Sequence, residues 1–522
     1  MGPPSSVGGP SAPPVDRLAE TFGGGMHMGA PPPLSQSHGV ASPGGVGTVY
    51  EGVQIDDAAN CKSEFMKCTV GRVAHSDKLA AGMKIPLGII LTPMALDRTG
   101  EKCPVEVVNF GKSGIVRCKR CRTYINPFVS WVNNGRQWRC NICSYVNEVP
   151  PEYFSHLDED GSRRDKAQRP ELSSGSVELV APSEYMLRPP QAPVYVFVLD
   201  VSQNAVASGM LATAAQTIKA CLDNLPGQGR TQIGFVAFDS AVHFFNLKST
   251  LSQPQMLTVP DLSELFLPLP DDLLVNLSES REVVDALLDA LPTMFQSTRK
   301  QEVALGPALV AAYRIMSHIG GKMCVFVSNL PSKGEASLKK HREDLRKMGT
   351  PEEFHQLNPD EQWYKSKAVE FHRLQICVDL FLFSGQYTDV ATLKELPKYT
   401  AGSLCYYPAF NGEDVYYIIC YRPLKSNTCM YDFTTIVASQ DGSKFSAELT
   451  RVLLRPTGFE AVMRVRATRG LRITHFHGNF SIRGTDLLAL PNCHPDSSFA
   501  IEMTHDDALL SASIASIQVR YA

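Results

Sequence analysis

Four cysteines, Cys118, Cys121, Cys140 and Cys143, stand in the pattern C-x2-C-x18-C-x2-C. Each C-x2-C pair can sit in a short turn that points two thiolates inward, and two such knuckles complete the tetrahedral sulfur shell that a structural Zn²⁺ prefers. The spacing therefore predicts one bound zinc. With sulfur in all four positions no site is left for water or substrate, so the metal should staple the fold and not catalyse. Chance spacing of buried cysteines and a pair of disulfides are the competing readings. The neighbouring residues suit a small ribbon: Asn133, Asn134 and Gly135 can turn the chain between the knuckles, and Phe128, Trp131, Trp138 and Tyr145 offer apolar cover. Arg117, Lys119, Arg120, Arg122, Arg136 and Arg139 crowd the same stretch. That basicity fits a nucleic-acid contact, and equally fits cations that lower thiol pKa values and favour metal loading.

Other chemistry-bearing residues fall short of a site. Asp200, Ser202 and Asn204 resemble the D-x-S-x-S metal loop of von Willebrand factor A domains, but Asn204 replaces the second serine. Ala304 stands where that family presents a threonine, and Ser328-Asn329 lacks its later aspartate. A hard cation would lack oxygen ligands there, so an A-domain-like fold with a dead metal site is expected. Gly111-Lys112-Ser113 ends like a P-loop, yet its first glycine position is Glu106. His475, His477 and His494, near Cys493 and Asp496, form no recognised ligand spacing. A structural or surface role is expected for them.

The elements that position these residues change character along the chain. Residues 1–48 are Gly/Pro/Ser-rich with too few large apolar residues for a core, and read as a disordered tail. Residues 49–114 carry short apolar segments between turn residues and read as strands, residues 115–155 as the zinc finger, and residues 156–190 as a polar linker and entry to the next domain. Over 191–430 an apolar run at 194–199 ends in Asp200 and is followed by a helical stripe of Leu211, Ala215, Ile218, Leu222 and Leu225. Further strands at 233–238, 323–327 and 374–383 alternate with helices at 282–291 and 307–319, which implies a parallel sheet covered by helices. The charged stretch 333–373 reads as a solvated helical insertion. From 431 to 522 the period becomes two: Met463, Val465 and Ala467 alternate with Arg464, Arg466 and Thr468, as antiparallel strands with one wet face do. The fold class is multidomain α/β plus β, with a zinc ribbon, an A-domain-like trunk and an antiparallel β-sandwich.

At 522 residues the chain has room for two or three domains, and a net charge of −3 argues against general coating of nucleic acid. The cysteines outside the zinc set are scattered, several in apolar runs such as that around Cys324, and read as reduced core thiols in a cytosolic protein. The longest apolar stretch, 83–96, is cut by Lys84, Pro86 and Pro93, far short of a spanning helix.

Certain stretches carry a specific resemblance. The block Val116-Arg-Cys-Lys-Arg-Cys-Arg-Thr-Tyr-Ile-Asn-Pro-Phe-Val129, the following Trp138-Arg-Cys-Asn-Ile-Cys143, the run from Val194 to Ser202, Ala304-Leu-Gly-Pro-Ala-Leu309 and Met186-Leu-Arg-Pro-Pro190 resemble the cargo-adaptor subunit of the inner COPII vesicle coat, from about residue 50 onward. The resemblance implies a zinc finger, an A-domain-like trunk and a β-sandwich built from segments on both sides of them. It implies a non-enzymatic protein that selects cargo for transport from the endoplasmic reticulum to the Golgi by binding cytosolic sorting signals. Its partners would be the GTPase-activating sister subunit, the small coat GTPase indirectly, the outer coat cage, the cytosolic tails of membrane cargo and, peripherally, the endoplasmic reticulum membrane. It would then be found in the cytoplasm, on the cytosolic face of that membrane and on COPII vesicles, with no nucleic-acid partner. Members also carry a helical and a gelsolin-like domain; this sequence stops at Ala522 within an expected sandwich strand, so it reads as a C-terminally short form with an unpaired strand edge. Because many sorting signals are acidic, a basic site near the ribbon–trunk junction is expected, with Arg163, Arg164, Arg169 and Arg188 as candidates. A zinc-ribbon nucleic-acid-binding protein is the alternative.

Overall fold

The computed structural model describes residues 49–50, 53–54, 59–97, 99–111, 114–182, 191–338, 344–385, 387–412, 441–506 and 514–522. The tail expected over 1–48 lies outside these residues. The chain divides into two units, Met1–Asp57 and Ala58–Ala522. In the first, Val49–Tyr50 and Val53–Gln54 pair as an antiparallel hairpin.

In the second unit the strand Val194–Asp200 is fully buried and sits at the centre of an eight-stranded sheet. Its side chains alternate between two cores: Tyr195, Phe197 and Leu199 face one, and Val194, Val196 and Val198 the other. Burial on both faces is why this strand reads as continuous apolar sequence. Gln232–Phe238 and Gly321–Val327 flank it in parallel, followed on the latter side by Ile376–Leu382 and Leu404–Tyr406. Val242–Asn246 and Gln255–Val259 extend the other side antiparallel. Helices Met210–Cys221 and Arg281–Met294 cover one face, and Leu305–Met316 and Trp363–Arg373 the other.

Two stretches differ from expectation. The region from 431 was read with a period of two, yet Asp441–Leu454 is a helix, and its Phe445, Leu449, Val452 and Leu453 join the trunk core. Those positions repeat at three and four residues, which is the helical period. Within the charged insertion, the 3-10 turns Leu345–Lys347 and Glu353–Leu357 are exposed as expected. Helix Trp363–Arg373, in contrast, buries Tyr364, Ala368 and Phe371 in the trunk.

The sandwich joins distant segments. One sheet holds Ser481–Arg483, Leu487–Cys493, Gly458–Ala467 and Ile517–Tyr521; the other holds Leu471–His477, Phe499–His505, Gly88–Leu91 and Met66–Cys68. Ile89 and Leu91 pair with Ile501 and Phe499, so two N-terminal strands complete a sheet whose other two come from the far end of the chain, and all four side chains enter one core. A Cβ at Gly88 would lie 2.7 Å from the Ile501 carbonyl oxygen, so only glycine lets these strands close. Along Gly458–Ala467, Ala461, Met463 and Val465 are buried while Arg464 and Arg466 point outward, as the alternation predicts.

The ribbon is a meander of Ser130–Val132, Gln137–Arg139 and Val146–Glu148. Asn133, Asn134 and Gly135 make the first turn with φ of 51°, 52° and 84°, a left-handed backbone that asparagine and glycine tolerate best. The stretch read as a linker is folded where described. Tyr153 and Leu172 enter the ribbon core with Val116, Ile125 and Trp138, and Val177–Leu179 pairs in parallel with Glu106–Val108. Asp158, Arg163, Arg164, Asp165, Arg169 and Glu171 pair with one another there, so residues that read as linker charges help to hold it.

Candidate metal centre and basic cleft

The two knuckles repeat one backbone design. Cys118 N–H donates to Thr123 O at 2.8 Å and Arg122 N–H to Cys118 O at 3.0 Å; Cys140 N–H donates to Tyr145 O at 3.0 Å and Ser144 N–H to Cys140 O at 2.9 Å. Arg122 and Ser144, each one residue past the second cysteine of its pair, both adopt left-handed φ, 61° and 59°. The turns bring the sulfurs together, with Cys118 Sγ 3.6 Å from Cys143 Sγ and Cys121 Sγ 3.6 Å from Cys140 Sγ. All four lie within 4.8 Å of one another. A tetrahedron of sulfurs about 2.3 Å from zinc has edges of about 3.8 Å, so the donor set fits the ion. It does not fit disulfides, whose sulfurs lie about 2.05 Å apart.

The electrostatics agree. Burial pushes the Cys118 thiol up, but backbone N–H groups of Cys121 and Arg120 and the Asn147 side chain outweigh it and bring the pKa down to about 7. Cys140 is pushed up to about 11, chiefly by burial and further by the neighbouring Cys121 and Cys118 charges. Four thiolates this close require a cation among them.

Against this ribbon the sandwich forms a cleft of about 640 Å³. The ribbon contributes Arg120 and Arg122 beside Cys121 and Cys143, and the sandwich contributes Arg464, Arg466, Arg469 and Asp486. Both knuckles are gripped: Arg466 Nε donates to Cys121 O at 2.8 Å, Arg469 N–H to Ile142 O at 3.0 Å, and Gln518 exchanges hydrogen bonds with the Tyr124 backbone at 2.7 and 3.0 Å. Burial, then repulsion from Arg464, lowers the Arg466 pKa, although a guanidinium remains charged. Arg464 holds Asp486 through both oxygens, whereas Arg120, Arg122 and Arg469 have no acidic partner among the described residues. Five guanidinium groups face one carboxylate and the net negative charge of a zinc held by four thiolates, which leaves the cleft basic and chemically suited to anionic groups.

Sequence reasoning placed the basic site elsewhere. Arg163 is buried, forks onto Asp165 at 2.8 and 2.7 Å, and lies 4.9 and 4.6 Å from the Trp131 and Tyr153 ring centres. Arg169 shares Asp165, reaches Glu171 and covers the same Tyr153 ring. Two guanidinium groups hold the Asp165 carboxyl well below the usual range against the opposing effect of burial. Arg163 and Arg169 are thus held by ion pairs and aromatic packing at the ribbon. Arg164 is exposed and pairs with Asp158 at 3.2 Å, and Arg188 lies outside the described residues. The sandwich arginines that line the cleft, Arg464, Arg466 and Arg469, were not among those candidates. Arg464 and Arg466 were legible as outward positions of a period-two strand, with Arg469 two residues past its end, but nothing local tied them to the ribbon.

The A-domain metal loop is closed by its own hydrogen bonds. One Asp200 oxygen accepts from Ser202 N–H at 2.8 Å, and the other from the Ser328 N–H and hydroxyl at 2.8 and 2.6 Å. Asn204 and Asn329 bridge the rim at 3.0 Å. His475 and His477 share a face, as expected, and both lean on Glu502, at 3.4 and 3.0 Å. His494 is buried elsewhere, at the seam with the trunk.

Comparison with known proteins agrees with this architecture. The Sec23/Sec24 zinc finger matches residues 115–153, the Sec23/Sec24 trunk domain residues 190–418 and the Sec23/Sec24 beta-sandwich domain residues 458–521. Protein transport protein SEC24 A of Arabidopsis thaliana is 48% identical over 460 residues, covering 88% of this chain and 42% of that protein. Protein transport protein Sec24A of Homo sapiens is 43% identical over 459 residues, covering 88% and 39%. The crystal structure of the human COPII-coat protein Sec24c superposes with a TM-score of 0.77 at 34% identity, covering 89% of this chain and 59% of that one. The chain therefore spans about two fifths of the Arabidopsis and human relatives. Its ribbon is a Sec23/Sec24 zinc finger with one structural zinc, which sets aside the nucleic-acid reading. Among the described residues no helix is long and apolar enough to cross a membrane. With three modules of one family in order and a shared fold across them, this chain belongs to the Sec24 family of protein transport proteins.

Proposed function

We propose that the chain is a cargo-selecting adaptor of the inner COPII coat, and that its basic cleft receives acidic sorting signals on the cytosolic tails of membrane cargo leaving the endoplasmic reticulum. Cys118, Cys121, Cys140 and Cys143 hold the structural zinc and thereby fix Arg120 and Arg122 in the cleft wall. The observation that carries the reading is the charge of that cleft, with four of its five arginines lacking an acidic partner among the described residues and one of those, Arg466, tied to a backbone carbonyl. Arginine forks grip carboxylates at two points, which suits short acidic peptides. Exposed Arg164, and Arg188 outside the described residues, extend the candidate set beyond the cleft. The trunk pairs with the GTPase-activating sister subunit, meets the small coat GTPase indirectly and sits beneath the outer cage at the cytosolic membrane face. No reaction is catalysed.

Fluorescence anisotropy tests the cleft, using a labelled peptide with two adjacent glutamates and its glutamine counterpart. The glutamate peptide should bind preferentially, and Arg120→Glu combined with Arg469→Glu should weaken it at least about tenfold. Equal binding of both peptides, or no effect of the paired reversal, contradicts the assignment.

A further inference from the structure

The cleft's one carboxylate is placed as a ligand's would be. Asp486 directly precedes the strand Leu487–Cys493, whose Leu487 is paired with Arg464 on the neighbouring strand. Its two oxygens accept from Arg464 Nε at 2.9 Å and Nη2 at 2.6 Å, the two-point grip that an incoming peptide carboxylate would require. The pair stands partly in solvent, with side chains 40% and 38% exposed, so water and ions compete for it and it can exchange. Arg466, two residues along the same wet face, is instead tied to the Cys121 carbonyl. Arg464 is thus the cleft arginine whose fork is already filled by a carboxylate from the protein itself.

We propose that Asp486 is a built-in carboxylate competitor that limits how much a second acidic group adds to a ligand's affinity for the cleft. The inference rests on the cleft's binding acidic peptides. A ligand with one acidic group can pair with Arg120, Arg122 or Arg469, which have no acidic partner among the described residues, and leave Asp486 in place. A ligand with two adjacent acidic groups engages Arg464 as well only by displacing Asp486, one carboxylate replacing another. Asp486 therefore restrains the hold on strongly acidic ligands and keeps their binding reversible.

The test uses the zinc-loaded full chain and labelled peptides carrying two adjacent glutamates, one glutamate, or glutamine in both places. Asp486→Asn keeps the side-chain shape and removes the charge. It should raise affinity for the two-glutamate peptide about five- to tenfold and for the one-glutamate peptide less, widening the ratio between them. In an Arg464→Gln background the same change should have no effect, because the competition it relieves is gone. Asp486→Ser provides a second variant, and zinc content and melting temperature confirm that each protein is folded. If the unaltered chain prefers glutamate peptides but Asp486→Asn and Asp486→Ser leave the ratio unchanged or narrow it, the competitor role is overturned while the cleft reading stands. If no variant distinguishes glutamate from glutamine peptides, both fall.

Discussion

Lys322 Nζ lies 3.2 Å from Asp379 Oδ2, and both side chains are completely buried at the seam between trunk and sandwich. The ammonium also donates to the Val452 carbonyl at 3.0 Å, and the carboxylate accepts the Ser403 N–H at 2.8 Å. Burial alone would raise the Asp379 pKa, but the Lys322 charge, followed by that of Arg455, holds it below its ordinary value. Arg455 in turn reaches Asp496 of the sandwich at 3.1 Å, so a chain of charges crosses the seam.

Breaking this pair from one side should be costly. Lys322→Met strands a buried carboxylate and is expected to destabilise the protein by about 3–5 kcal/mol, whereas Lys322→Met with Asp379→Leu should recover much of the loss. Urea denaturation monitored by tryptophan fluorescence provides the comparison. A single variant as stable as the original would show that the pair contributes little.

Acid should weaken the same seam in a defined window. Burial, then the Arg483 and Arg373 charges, lowers His372 from 6.5 to about 4; burial and Arg455 lower His494 to about 3. A histidine with a depressed folded-state pKa contributes stability above its unfolded value and loses it as pH falls. The melting temperature should therefore drop from about pH 6.5 towards pH 4, before carboxylate protonation adds to the effect. Both His372 ring nitrogens are buried without a hydrogen-bond partner among the described residues, so His372→Leu should hold stability near neutrality and flatten part of the acid loss. An unchanged pH profile in His372→Leu would remove this residue from the explanation.

Zinc should be required for the cleft wall. Cys140→Ser or a strong chelator should lower zinc from one ion per chain to none and expose the fully buried Trp138. Elemental analysis and fluorescence quenching report the two effects. Full metal content in Cys140→Ser would contradict the ligand set.

The zinc centre was legible because its four ligands lie within 26 residues and their spacing alone defines the knuckles. The trunk was legible because Val194–Asp200 is buried on both faces and leaves an unbroken apolar signature. The cleft was not, because Arg466 meets Cys121 across 345 residues and only the sandwich topology brings them together. For Arg163 and Arg169 the partners Asp165, Glu171 and Tyr153 are close in sequence, but the burial of the first arginine and the stacking of both are visible only in the fold. Helix Asp441–Leu454 was missed because the strong two-residue alternation that follows was extended backward over it.

Magnesium should leave the trunk unaffected. The Asp200 oxygens are already satisfied by Ser202 and Ser328, and a ligand stabilises only a state it binds. A melting-temperature rise at millimolar Mg²⁺ that Asp200→Ala abolishes would reopen the metal loop as a site.

The coat-adaptor account is tested most directly by capture of the GTPase-activating sister subunit across a salt series, with duplex DNA and RNA as competitors. A packed protein interface should survive added salt, while phosphate-driven binding falls steeply. The account predicts salt-resistant recovery of the sister subunit and only weak, salt-labile nucleic-acid binding. Salt-resistant nucleic-acid capture with no sister subunit recovered, from this chain or from one extended to its relatives' full length, would contradict it.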